Sequence, residues 1–145
     1  MKTIIVEKPY SRLQWPVTLK NCKEPKLHIT AKFFGRASID ANYISMIVQR
    51  ARLSHDDVAG LSWTTNLFAG LSHALELHDV PSTIIAVHHA FPLIKDQFAP
   101  WRPHITVPKD YWEQVVANGW TAQSEELQLG ELELCLSHEL SEDLC

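Results

Sequence analysis

Apolar side chains recur at every fourth residue through Ile39, Tyr43, Ile47 and Ala51, with Ile44 and Val48 beside them. That period predicts an amphipathic helix of about four turns, and Ser38 offers a hydroxyl to cap its first turn. Elsewhere the pattern is that of strands. Residues 26–34 are β-rich and stop at Gly35, and residues 102–107 form a second such run. Residues 3–7, 58–64, 67–77, 83–88 and 127–137 are further strand candidates. In 67–77, Leu71, His73, Leu75 and Leu77 share one parity. Pro9, Pro16 and Pro25 mark residues 9–25 as irregular, with a short strand near Val17 to Leu19. Asp56-Asp57 reads as a turn, Asp79-Val80-Pro81 as a break, and residues 91–100 as a loop or a short helical turn. Asp110 with Glu113 resembles a capping box for a helix through Ala117, stopped by Asn118-Gly119. Residues 138–145 are polar and expected to fray.

The mixed order of strands and helices predicts an α+β fold. With 145 residues, 46% of them hydrophobic and 21% charged, the chain suits a single domain, 1–145, with a sizeable core. No apolar run approaches a membrane span and the first strand is too short for a signal peptide, so a cytoplasmic protein without a membrane partner is expected. Cys22, Cys135 and Cys145 are odd in number and widely spaced, which predicts free thiols rather than a disulfide framework or a zinc cluster. The net charge of −4 is unevenly spread: residues 1–52 hold ten Lys/Arg against three acids, and residues 110–145 hold nine acids and no Lys or Arg. A basic first half attracts phosphate, whereas duplex DNA needs a broad basic face that the acidic tail denies.

Two of the strand candidates carry the same order of residues. Leu27-His28-Ile29-Thr30 and Pro103-His104-Ile105-Thr106 each place a histidine, a β-branched apolar residue and a threonine in succession. In a strand the histidine and threonine share one face and the isoleucine takes the other. Each copy presents an imidazole beside a hydroxyl over a core anchor. The copies lie 76 residues apart, each followed by a helix, which suggests two lobes related by a pseudo-twofold. Facing one another across a groove, they supply an acid and a base for phosphodiester chemistry, since an imidazole with an ordinary pKa of about 6.5 serves as either.

These residues resemble the 2H phosphoesterase superfamily, named for its paired His-aliphatic-Ser/Thr motifs. The first match runs on through Ala31, Lys32, Phe33 and Phe34 to Gly35, as in the 2′-5′ RNA ligase/cyclic phosphodiesterase branch; the second spans Trp101 to Val107, with Pro103 before the histidine. The resemblance implies a bilobal fold, two antiparallel sheets framing a central cleft with helices outside. It also implies a metal-independent phosphodiesterase with no cofactor. The chain is shorter than many RNA-processing members, and compact phage-encoded members degrade the cyclic oligonucleotide signals of bacterial antiviral defence. A cyclic nucleotide or cyclic oligonucleotide is therefore the expected substrate. Processing of RNA 2′,3′-cyclic phosphate ends and nucleotide binding without cleavage are the alternatives.

On that reading His28 and His104 act as acid and base, while Thr30 and Thr106 donate to the non-bridging phosphate oxygens. Lys32 shares the parity of His28 and Arg102 that of His104, so each is a candidate to add positive charge. Tyr10, Trp15, Trp63 and Trp101 are candidates to stack on bases, and Glu131 or Glu133 to accept from a base amino group. Among the other histidines, His88 and His89 would point to opposite faces of a strand, and no His-x-x-x-His helix with a carboxylate is present.

Overall fold

The computed structural model describes residues 9–68, 72–96 and 100–137; the strand expected at 3–7 and the tail at 138–145 lie outside them. In chain order the elements are β1 (Tyr10–Thr18), β2 (His28–Gly35), α1 (Ala41–Arg50), α2 (His55–Ala59), β3 (Ser62–Phe68), β4 (Ser72–His78), α3 (Ser82–His89), β5 (His104–Val107), α4 (Lys109–Asn118), β6 (Gln128–Leu129) and β7 (Glu133–Ser137). The fold is α+β. The described strands form one open antiparallel sheet in the order β3-β4-β5-β2-β1-β6, with β7 also pairing β1. Two sheets facing across a cleft were expected. Here the two motif strands are hydrogen-bonded neighbours at the centre, and three strand positions lie on each side of the line between them.

Period-2 alternation turns Leu13, Trp15, Ile29, Leu75, Leu77, Ile105 and Val107 to one face, where they join the core with Ile84 and Val87 of α3 and Tyr111 and Val115 of α4. His73, on the same face, meets Trp112 of α4 edge-on at 4.8 Å. Among the described residues no helix is long and apolar enough to cross a membrane.

Several elements differ from the sequence reading for identifiable reasons. Residues 10–18 form one continuous strand despite Pro16. β7 covers β1 from Tyr10 to Gln14 and β6 covers it from Val17, so the missing proline N–H falls in the gap between two neighbours. Gly130 sits in that gap, where its N–H donates to the Pro16 carbonyl at 2.8 Å and a Cβ would come within 3.3 Å of the Pro16 ring; the strand expected over 127–137 is split here into β6 and β7. Residues 82–89 are helical rather than extended. Their apolar run is too short for periodicity to decide, and Ile84, Val87 and His88 are buried at helical spacing. Asp56 and Asp57 open a helix instead of a turn, with Ser54 and Asp57 in a reciprocal capping box. Asp40, not Ser38, caps α1 by accepting from the Asn42 and Tyr43 N–H groups. In α4 the Asp110/Glu113 box does not form: Pro108 is the N-cap, and Glu113 lies 3.9 Å from Lys109. The expected stop holds, with Gly119 left-handed at φ 61°. Cys22 is a free thiol, whereas Cys135 is disulfide-bonded, against the expectation.

Ile29 and Ile105 are register partners, and both are 0% exposed. Ile105→Ala is expected to cost about 2–5 kcal/mol, the range for a large aliphatic in a core that cannot collapse. Urea unfolding of the variant measures it, and a loss under about 1 kcal/mol, ordinary for a surface site, would contradict the packing described.

Candidate active site

Antiparallel strands put directly opposed residues on the same face. With Ile29 opposite Ile105, His28 stands opposite Thr106, and Thr30 opposite His104. The four side chains therefore form a two-by-two array on the face away from the core, all half-exposed. The two histidines are diagonal neighbours, a spacing of about 7–8 Å between backbone positions.

Each imidazole is oriented by the same device. His28 Nδ1 donates to the Lys26 carbonyl at 3.0 Å, and His104 Nδ1 donates to the Arg102 carbonyl at 2.7 Å. In both cases the acceptor lies two residues upstream. A carbonyl oxygen only accepts, so the proton sits on Nδ1, which makes Nε2 the nitrogen that takes or gives up a proton. Lys26 holds its carbonyl in place through a left-handed backbone at φ 66°.

The array is part of a longer polar row across the sheet. Thr64 opposes Glu76, Glu76 opposes His104, Thr30 opposes Gln14 and Gln14 opposes Glu133. Glu76 and Gln14 escaped the sequence reading. Only the pairing of distant strands brings them beside the motifs, although the Ala74/Glu76/His78 parity of β4 was a usable signal for Glu76. The Glu76 carboxylate pairs with Arg102 and accepts from Asn66 at 3.3 Å. Arg102 therefore lies beside His104, as expected, with its charge matched by an acid the sequence did not reveal.

Lys32 meets a different fate from the one expected. It is 4% exposed and its ammonium is bound to Asp96, which holds the Asp96 carboxyl below the usual carboxylate range. Asp96 also lies 3.3 Å from His88 Nε2. His88 Nδ1 donates to the Ala31 carbonyl at 2.7 Å, and its ring stacks on Trp101 at 4.0 Å with planes 5° apart. The Trp101 indole N–H in turn donates to the Thr30 carbonyl at 3.2 Å. These partners converge on a β-bulge: Leu13 pairs Lys32 and Gln14 pairs Thr30, leaving Ala31 as the extra residue. Side chains of α3 and of residue 101 thus hold the two carbonyls at the point where the ladder is broken. Trp101 is a support of the motif strand with one ring face already covered.

The remaining candidates are placed away from the array. Trp63 shares the core face with its partner Leu77 and donates its indole N–H to the Trp120 carbonyl at 3.0 Å. Trp15 is 1% exposed in the same core. Stacking of a base on the opposite face draws on neither. Tyr10 lies at the far end of β1, stacked with Phe33 and covered by the Arg36 guanidinium at 4.4 Å. Glu133 is on the polar row but already accepts from Gln14 Nε2 at 2.8 Å; Glu131 is exposed beside Gly130, outside the strands.

At the His28 end of β2 the hairpin connection lines an open cavity of about 530 Å³ whose walls include Pro16, Lys20, Lys23, Glu24 and Lys26, with Lys20 paired to Glu126 at 3.3 Å. Pro16 is the register partner of His28, so this basic cavity adjoins the array. The connection is tied down by Glu125, which is 0% exposed and accepts from Asn21 at 3.0 Å and from the Tyr111 hydroxyl at 2.7 Å. Burial and that carboxylate push the Tyr111 phenol upward. Among the described residues no group of three or more His, Cys, Asp or Glu has a metal-holding arrangement.

No family model, no curated protein and no solved structure matches the chain.

The Lys32–Asp96 pair makes stability depend on acid pH. A carboxyl whose folded pKa is depressed stabilises the fold above its unfolded value, about 3.9, and loses that contribution as pH falls through the folded value. The urea midpoint of the wild type is therefore expected to fall below about pH 4. Asp96→Asn should be less stable at neutral pH and flatter over the acid range. Parallel curves for the two proteins would show that the pair carries no such linkage.

Proposed function

We propose that the chain is a phosphodiesterase of the 2H type, acting on cyclic nucleotides or cyclic oligonucleotides through His28 and His104. The observation that carries this reading is the register of β2 on β5, Ile29 opposite Ile105, which puts two imidazoles and two threonine hydroxyls on one half-exposed face. The symmetric Nδ1 bonds to the carbonyls of residues 26 and 102 support it, because both rings then present Nε2 for proton transfer. Three strand positions lie on each side of the line between the motif strands, an arrangement that supports a reading in two halves.

The chemistry follows from these groups. A phosphodiester seated between the rings offers its non-bridging oxygens to the Thr30 and Thr106 hydroxyls, where negative charge grows in the transition state. One imidazole Nε2 takes the proton of the attacking hydroxyl, from water or from an adjacent ribose. The other, entering protonated, gives its proton to the departing oxygen as the P–O bond breaks. The first ring ends charged and the second neutral, and exchange with solvent resets them. The basic hairpin beside His28 draws the anion toward the array.

The test is a panel of cyclic dinucleotides, cyclic trinucleotides and 2′,3′-cyclic mononucleotides, with products resolved by chromatography. Turnover of at least one member is expected, with a bell-shaped dependence on pH. His28→Ala and His104→Ala should each lower it by about 10²–10⁴-fold, with an unchanged circular dichroism spectrum. Near-full activity in either variant would end the two-imidazole mechanism. Tight retention of a ligand by the wild type without any product would favour a binding protein.

A further inference from the structure

Gln14 presents an acceptor that no described residue satisfies. Its side chain is 4% exposed, its Nε2 donates to Glu133 Oε1 at 2.8 Å, and its Oε1 is buried with no hydrogen-bond partner. A carboxylate only accepts, so the bond to Glu133 fixes which end of the amide is which and leaves the carbonyl end as the orphan. A buried acceptor kept unmet is destabilising, and such groups are rare unless something outside the chain completes them.

The position of this acceptor says what would complete it. Gln14 is the register partner of Thr30, one strand over on the same face, at the backbone separation of about 4.5–5.5 Å typical of opposed residues. Thr30 is a phosphate-binding hydroxyl in the reading above. The group bonded directly to a phosphodiester is a sugar, and the nearest hydrogen-bond donor a nucleotide can offer beside its phosphate is a ribose hydroxyl. A base lies further along the ligand.

Resting on the phosphodiesterase reading, we propose that Gln14 Oε1 accepts a hydrogen bond from the ribose 2′-hydroxyl next to the phosphate held by Thr30, with Glu133 as the residue that aims the amide. Gln14 then selects ribonucleotides over deoxyribonucleotides. A site built around a substrate hydroxyl discriminates strongly against the analogue without it, because the protein acceptor is left unpaired.

Binding rather than turnover tests this, so that the sugar preference is separated from any use of the hydroxyl as nucleophile. In the His28→Ala/His104→Ala protein, calorimetry compares cyclic di-AMP with its 2′-deoxy counterpart. The ribose ligand should bind more tightly by about tenfold or more, and Gln14→Leu on the same background should bring the ratio near one. Glu133→Ala, at an exposed position, leaves the core intact and releases the amide; it should also lower the ratio, which keeps the test open if Gln14→Leu fails to fold. Equal affinities in the parent, no binding of either ligand, or an unchanged ratio in Glu133→Ala would overturn the role of Gln14. A chain that cleaves cyclic di-AMP yet binds both sugars equally loses only the Gln14 assignment. One that binds with ribose preference and cleaves nothing loses the phosphodiesterase reading and keeps it.

Discussion

The pairing of Ile29 with Ile105 at the centre of the sheet is the contact on which the candidate site rests. Both side chains are fully buried on the helix-covered face. Because strand side chains alternate with period 2, burying these two isoleucines forces His28, Thr30, His104 and Thr106 to the other face. A slip of one residue in either strand would bury a histidine and a threonine and expose an isoleucine, so hydrophobic burial enforces the register. The site is thus the reverse side of a core contact. Its placement follows from burial of the two isoleucines.

That economy carries a structural cost at the ends of the motif strands, and the chain meets it with side chains. β5 begins at His104, and the bulge at Ala31 interrupts the ladder to β1. Carbonyls left without a ladder partner would be expensive to bury. The Trp101 indole takes the Thr30 carbonyl and the His88 imidazole takes that of Ala31. His88 is steadied in turn by stacking on Trp101 and by Asp96, whose other partner is the buried Lys32. An ammonium so buried is tolerable only because it is paired. Lys32 and Trp101 therefore support the geometry of Thr30 from behind, rather than meeting a ligand in front.

This division explains what the sequence could and could not disclose. The His-Ile-Thr repeats were legible because alternation is a local property: three residues suffice to say which share a face. The helix at 41–50 was legible for the same reason at its own period. Strand adjacency is not local. The hydrogen bond of Gln14 to Glu133 spans most of the chain, and the opposition of Glu76 to His104 exists only once β4 is laid on β5. Parity correctly placed Arg102 near His104 but gave no hint of the carboxylate beside it. It failed for Lys32, because the Ala31 bulge intervenes between that residue and the motif. Residues 82–89 failed for another reason: a short, β-branched apolar run satisfies either period, and packing against β2 decided in favour of a helix.

The charges around the array are arranged along two axes. Along the strands, the hairpin that precedes His28 carries Lys20, Lys23 and Lys26, of which Lys20 pairs with Glu126, while on the other side of the motif Lys32 is neutralised by Asp96. Across the strands, the row through His104 and Thr30 meets acceptors on both sides: Glu76, engaged by Arg102 and Asn66, and Gln14 with Glu133. A ligand with anionic groups on one axis and hydrogen-bond donors on the other fits this pattern in one orientation. On the proposed function, a phosphodiester flanked by ribose would be such a ligand, with further phosphates along β2 toward the lysines and hydroxyls across the sheet toward the carbonyl and carboxylate oxygens. An inorganic phosphate or a simple phosphomonoester satisfies the first axis and leaves the Gln14 acceptor unmet. The cross-strand row, more than the two histidines themselves, is therefore what would make the face selective for a nucleotide.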